Sequence, residues 1–167
     1  ARVRRVFDLA ADPALIAAHL SEDPELAPLV ARRPGLRAPG AWDGFELAVR
    51  AVLGQQITVH AARNLAGRIT EAHGELIQDE AARALGLTHL FPTPQALAAI
   101  DVETLPMPRA RGRALTSLAA AAAADPDLFG MRRSLEEAVA RLVALPGIGE
   151  WTAQYIAMRA LREMDAF

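Results

Sequence analysis

Apolar residues recur at helical spacing along nearly all of this 167-residue chain, and proline or glycine breaks the pattern at short intervals. A half-buried strand needs strict alternation of apolar and polar residues, and no stretch of useful length shows it. The sequence therefore reads as all-α, a bundle of roughly eight to ten short helices. Asp12-Pro13 and Asp23-Pro24 each read as an N-cap followed by proline in the first helical turn. Pro34, Gly35, Pro39 and Gly40 mark a loop before a helix at about 42–53, whose Phe45, Val49, Val52 and Leu53 share one face. After a break at Gly54-Gln55-Gln56, Thr58 is placed to cap a helix to about His73.

Residues 79–85 have helical potential, and Thr93-Pro94 starts a short helix to Ile100. Pro106 and Pro108 lead into a helix at about 109–124, stopped by Asp125, Pro126 and Gly130. Ser134 and Glu137 form a capping box for a helix to Leu145. A last helix starts near Glu150 and runs to Met164-Asp165-Ala166-Phe167, with no glycine or proline stop, so further sequence is expected beyond Phe167.

Two absences narrow the chemistry. Cysteine is missing, which removes disulfides, thiol nucleophiles, cysteine zinc sites and iron–sulfur clusters from this chain. All 18 basic residues are arginine, so no lysine can form a Schiff base. The net charge of −2 gives no overall basic footprint, and any contact with nucleic acid must be local. Neither a secretory signal nor an apolar run of roughly 20 residues is present, and a cytoplasmic protein without membrane contact is expected. His19, His60, His73 and His89 lack metal-ligand spacing, and no P-loop, GxGxxG, GxSxG or HExxH motif occurs.

The segment that carries chemistry is Leu145-Pro146-Gly147-Ile148-Gly149, between two amphipathic helices. Gly147 and Gly149 permit positive φ and close backbone approach. Their N–H groups, with those opening the helix at Glu150, would form an anion nest suited to a phosphodiester. A plain helix–helix turn uses the same glycines, and the longer string through Trp151-Thr152-Ala153 is what favours the binding reading.

Leu145 to Tyr155, LPGIGEWTAQY, resembles the hairpin of the helix-hairpin-helix DNA glycosylases. Three further segments resemble their 3-methyladenine DNA glycosylase II branch: Arg4–Leu9 (RRVFDL), Arg33–Arg37 (RPGLR) with Phe45–Gln55 (FELAVRAVLGQ), and Phe91–Gln95 (FPTPQ). The resemblance covers nearly all of residues 1–167, in order, with the hairpin at about 135–162. It implies an all-α, multi-helix glycosylase core without the family's N-terminal β-rich lobe and C-terminal end. Its implied partner is double-stranded DNA with alkylated bases, and a monomer is expected.

Such enzymes flip a damaged nucleotide out of the duplex and cleave its N-glycosidic bond, and a side chain wedged into the gap offsets part of the lost stacking. The resemblance places the wedge at Gln56, after the Gly54-Gln55 pair, where the best-known members have leucine. Gln55, Gly147, Ile148, Gly149 and Thr152 are implied as DNA-binding. Trp151 and Tyr155 are implied to line the base pocket, where a cationic alkylpurine over aromatic faces gains roughly 0.5–2 kcal/mol. The bland alternative makes both rings ordinary core residues. Lyase relatives carry a lysine at the position of Trp151, so only monofunctional hydrolysis is implied here.

No organic cofactor is implied. Backbone carbonyls of Val143, Leu145 and Ile148 correspond to a monovalent-cation site that bridges to a DNA phosphate. The catalytic aspartate is implied to fall roughly twenty residues after the tryptophan, beyond Phe167, where it would stabilise an oxocarbenium-like sugar. Asp165 comes too early for that role, so no catalytic residue is expected within the chain. Glu150 stands where relatives often have a basic or neutral residue; it suits the helix dipole but repels phosphate. Arg32, Arg33, Arg109, Arg111 and Arg113 could reach phosphates, though such clusters are more often solvated faces. The expected function is hydrolysis of the N-glycosidic bond of alkylated purines of the 3-methyladenine type in base-excision repair. A non-catalytic DNA-binding hairpin module is the alternative from another class, and a purely structural helical domain is a third.

Overall fold

The computed structural model describes residues 2–130 and 134–166. It comprises two compact units, Ala1–Trp42 and Asp43–Phe167. The first holds α1 (Arg2–Val6), α2 (Pro13–Leu20) and α3 (Ala27–Arg32), none of which contains a buried residue. Asp12 caps α2 as expected, its carboxylate accepting the N–H groups of Ala14 and Leu15. Asp23 makes the same kind of bonds to Glu25 and Leu26, yet they close a turn, and α3 begins only at Ala27. An Asx turn satisfies the same donors as a cap, so Asp-Pro spacing alone does not separate the two. Asp8 is the buried polar residue of this unit; Ala38 donates its N–H to the Asp8 carboxylate, and Arg37 donates to the carbonyls of Asp8 and Ala11.

The second unit holds the hydrophobic core. Asp43 caps α4 (Gly44–Leu53), whose Phe45, Ala48, Val49, Val52 and Leu53 are buried on one face. Thr58 caps α5 (Val59–His73), and Asp79 caps the short α6 (Glu80–Ala84), flanked by a single bridge between Leu76 and His89. Thr93 caps α7 (Pro94–Ala98), and a 3₁₀ turn at Val102–Thr104 precedes α8 (Arg109–Ala124). Ser134 caps α9 (Leu135–Val143) through the Glu137 N–H, and α10 (Glu150–Ile156) follows the hairpin turn. α8 lies against α7 and α4, and α10 against α4 and α9. Leu115, Leu118 and Ala119 of α8 are fully enclosed. This packing brings the α4–α5 loop, the N-terminal part of α8 and the hairpin turn together.

The end of the chain departs from the expected continuous helix. A π-helical segment, Ala157–Leu161, follows α10, and Arg162 then turns left-handed at φ 68°. The burial of Ala157, Ala160 and Leu161 keeps the apolar pattern running through the change, so the sequence shows no break there. Met164 and Asp165 lie in a turn and are exposed, and Phe167 falls outside the described residues. No helix among the described residues is long and apolar enough to cross a membrane.

Candidate nucleic-acid interface

Local rules fix the hairpin turn. The Leu145 carbonyl accepts the Ile148 N–H at 3.1 Å, and Gly147 takes φ 80°. A Cβ on Gly147 would stand 2.5 Å from the Ala114 Cβ of α8, so both the left-handed backbone and the close approach require glycine. Gly149 differs from expectation. Its φ is −82°, it has open space where a Cβ would be, and it serves as the N-cap of α10. Positive φ in the turn therefore belongs to Gly147 alone of the two glycines. The N–H groups of Gly149, Glu150, Trp151 and Thr152 open α10 and have no intrahelical acceptor, which leaves a partial positive charge at that end.

Two residues expected to touch DNA are instead turned inward. Ile148 is buried with its N–H engaged in the turn, so it shapes the nest and does not itself donate to a phosphate. The Thr152 side chain is only 5 % exposed, and its hydroxyl accepts from Gln55. Gln55 is likewise committed: its Nε2 donates to the Gly147 carbonyl at 3.0 Å and to Thr152 Oγ1 at 3.2 Å. The Gln55 backbone carbonyl accepts from Arg111 at 2.6 Å. Arg111, read from sequence as a candidate phosphate ligand, thus braces the α4–α5 loop from α8. Neighbouring Gln56 is exposed at φ 58°, a conformation unusual for a residue with a Cβ, and stands at the tip of the loop.

The aromatic pair is placed as its spacing predicts. Trp151 and Tyr155 stack, with ring centroids 5.8 Å apart and planes 6° from parallel. Trp151 is 75 % exposed, which removes the reading of it as an ordinary core residue. Arg159 lies against Tyr155, its guanidinium carbon 5.9 Å from the ring centroid. Arg159 carries no sequence signal beyond its spacing of four from Tyr155, continued through the π segment.

The remaining candidates are scattered. Arg109 pairs with Glu103, Arg32 donates to the Pro28 carbonyl of its own helix, and Arg113 is exposed on α8. Glu150 is exposed in the first turn of α10. Among the described residues no group of histidine, aspartate and glutamate side chains could hold a metal ion.

The turn, the nest at the start of α10, the exposed aromatic pair and the braced loop define a helix-hairpin-helix DNA glycosylase fold. Comparison with known proteins agrees. Residues 1–43 match the family model of the AlkA N-terminal domain, a span that ends one residue past the first compact unit. The whole chain is 44 % identical over 167 residues to a probable bifunctional transcriptional activator/DNA repair enzyme AlkA of Mycobacterium tuberculosis, covering 33 % of it. It is 39 % identical over 170 residues to DNA-3-methyladenine glycosylase 2 of Escherichia coli, covering 56 % of it. The solved structure of a 3-methyladenine DNA-glycosylase from Archaeoglobus fulgidus superposes with a TM-score of 0.77 at 25 % identity, over 99 % of this chain and 56 % of that one. The chain is thus similar along its whole length to AlkA and 3-methyladenine DNA glycosylase relatives, and spans between a third and just over half of the two relatives' lengths.

Proposed function

We propose that this chain is the DNA-gripping, base-flipping and lesion-binding part of a monofunctional glycosylase that releases alkylated purines of the 3-methyladenine type from double-stranded DNA in base-excision repair. The observation that carries this reading is the solvent-exposed Trp151, stacked on Tyr155 one turn beyond the hairpin. An exposed indole backed by a second ring offers a flat face to an extrahelical base, and a cationic N3- or N7-alkylpurine gains cation–π energy there. Gln56 supplies the wedge, filling the vacated stack while its amide hydrogen-bonds the orphaned base. The N–H groups at the start of α10 take a backbone phosphate.

The hairpin carbonyls of Val143, Leu145 and Ile148 fit a monovalent cation: they are neutral oxygen donors, and Leu145 keeps one lone pair after accepting the Ile148 N–H. Such an ion would supply positive charge beside the bound phosphate. The chain has no lysine, which leaves water as the nucleophile for the part described. The reading takes the carboxylate for the sugar cation from outside residues 1–167, since Asp165 sits exposed in the turn only fourteen residues after Trp151. The reading takes the protein as a cytoplasmic monomer.

Glu150 and the net charge of −2 favour a second reading, a DNA-binding module without hydrolysis. The deciding experiment follows free base released from methylated duplex DNA by the full-length gene product, with the 167-residue chain in parallel. Release by the full-length product supports the glycosylase, and release by both makes Asp165 the catalytic carboxylate. DNA bound by both with base released by neither supports the binding module.

A further inference from the structure

The loop that carries Gln56 and the hairpin turn that would grip the backbone are 92 residues apart in sequence, yet the Gln55 side chain bonds one directly to the other. Its amide nitrogen makes both contacts, with the Gly147 carbonyl in the turn and the Thr152 hydroxyl in the first turn of α10. Thr152 is buried, so water does not readily take over that bond. From the other side, Arg111 of α8 holds the Gln55 backbone carbonyl at 2.6 Å. The same helix meets the turn at Ala114, against which Gly147 packs too closely for any Cβ. Loop, turn and α8 therefore meet in a closed triangle, and the residue next to Gln55 is held left-handed at φ 58°.

We propose that Gln55 is a positioning residue that couples backbone grip to base flipping. It keeps Gln56 at a fixed offset from the phosphate-binding turn, so that seating the hairpin carries the wedge into the duplex. The proposal rests on the reading of Gln56 as the wedge. It makes a chemical demand on position 55: the side chain must donate twice. A glutamate there has the same shape but would set an oxygen against the Gly147 carbonyl, and a methionine would fill the space without donating.

The test uses the full-length gene product carrying Gln55→Met or, as a second variant of unchanged shape, Gln55→Glu. The probe is a duplex with 2-aminopurine beside one 7-methylguanine, read for affinity on the unmodified duplex, for 2-aminopurine fluorescence as a report of unstacking, and for single-turnover base release. With two hydrogen bonds lost, unstacking and release fall about tenfold or more while affinity for unmodified duplex stays within about threefold. Unstacking and release at the unaltered protein's level would overturn the proposal. Affinity and release falling by the same factor would also overturn it, because Gln55 would then serve the grip itself. If the unaltered protein unstacks the probe without releasing base, the hydrolase reading fails and the coupling is still decided by the Gln55 variants. If the unaltered protein neither unstacks nor releases, both fail.

Discussion

At the scale of single residues, Trp151 separates binding from folding. Its ring is mostly in water, so truncation opens no cavity, and Trp151→Ala should change unfolding stability by no more than about 0.5 kcal/mol. A base stacked on an aromatic face is worth roughly 1–3 kcal/mol, so the same variant should lower 7-methylguanine release by about ten- to a hundredfold. Thermal unfolding and single-turnover release, measured side by side, check the two halves. The ring geometry also limits where a base could stack in the proposed pocket. The rings of Trp151 and Tyr155 already touch at a centroid distance of 5.8 Å, and inserting a base between them would need about 3.4 Å on each side. On the proposed reading, the base would therefore stack on the outer face of Trp151. That the two rings share a face was legible from their spacing of four. That Gln55 is spent on the hairpin was not, because a bond across 92 residues leaves no mark in local sequence.

At the scale of elements, most of the fold was legible because the caps are side-chain chemistry written in place. Asp12, Thr58, Thr93 and Ser134 each accept backbone N–H groups at the start of the helix they announce. The illegible part lies after Ile156, where the ladder changes to π without a proline or glycine. Gly147 is the element-scale pivot. Gly147→Ala must adopt φ 80° and press a methyl group into Ala114, which should cost about 1–3 kcal/mol and weaken duplex binding, as denaturant unfolding and anisotropy will show.

The start of α9 gives a pH signature. The Glu136 carboxyl is held below its ordinary value of 4.5, first by a backbone hydrogen bond and then by one with Ser134, with desolvation opposing weakly. The folded state thus favours the charged form. The stabilisation is complete above the unfolded value and is lost as pH falls through the lower folded one. Glu136→Gln should flatten the acid limb of thermal midpoint against pH below about 4.5 and leave the neutral limb little changed.

At the scale of the molecule, the core and the charge are distributed in ways that bear on the proposed DNA binding. Every residue of the hydrophobic cluster belongs to Asp43–Phe167, and Leu118, fully enclosed on α8, lies within it. Leu118→Ala should therefore cost about 2–5 kcal/mol in denaturant unfolding, in contrast to Trp151→Ala. Electrostatics sets a second contrast. With 18 arginines against 20 acidic residues the net charge is −2, which gives no overall basic footprint. Arg109 is paired with Glu103 and Arg111 is turned onto Gln55, so neither serves as an outward phosphate ligand in this state. On the proposed reading, the helix N–H groups at the start of α10 then carry much of the grip, with exposed Glu150 set against them. If the grip neutralises only about two or three phosphates, the slope of log affinity against log salt should be near −2 to −3, shallow for a DNA-binding protein. Glu150→Gln removes the repulsion, so it should strengthen duplex binding several-fold at low salt, with the gain fading as salt screens the charge. Titrations of unmodified duplex at four salt concentrations read both quantities. A slope as steep as −6 would mean that a basic surface beyond these residues does the gripping.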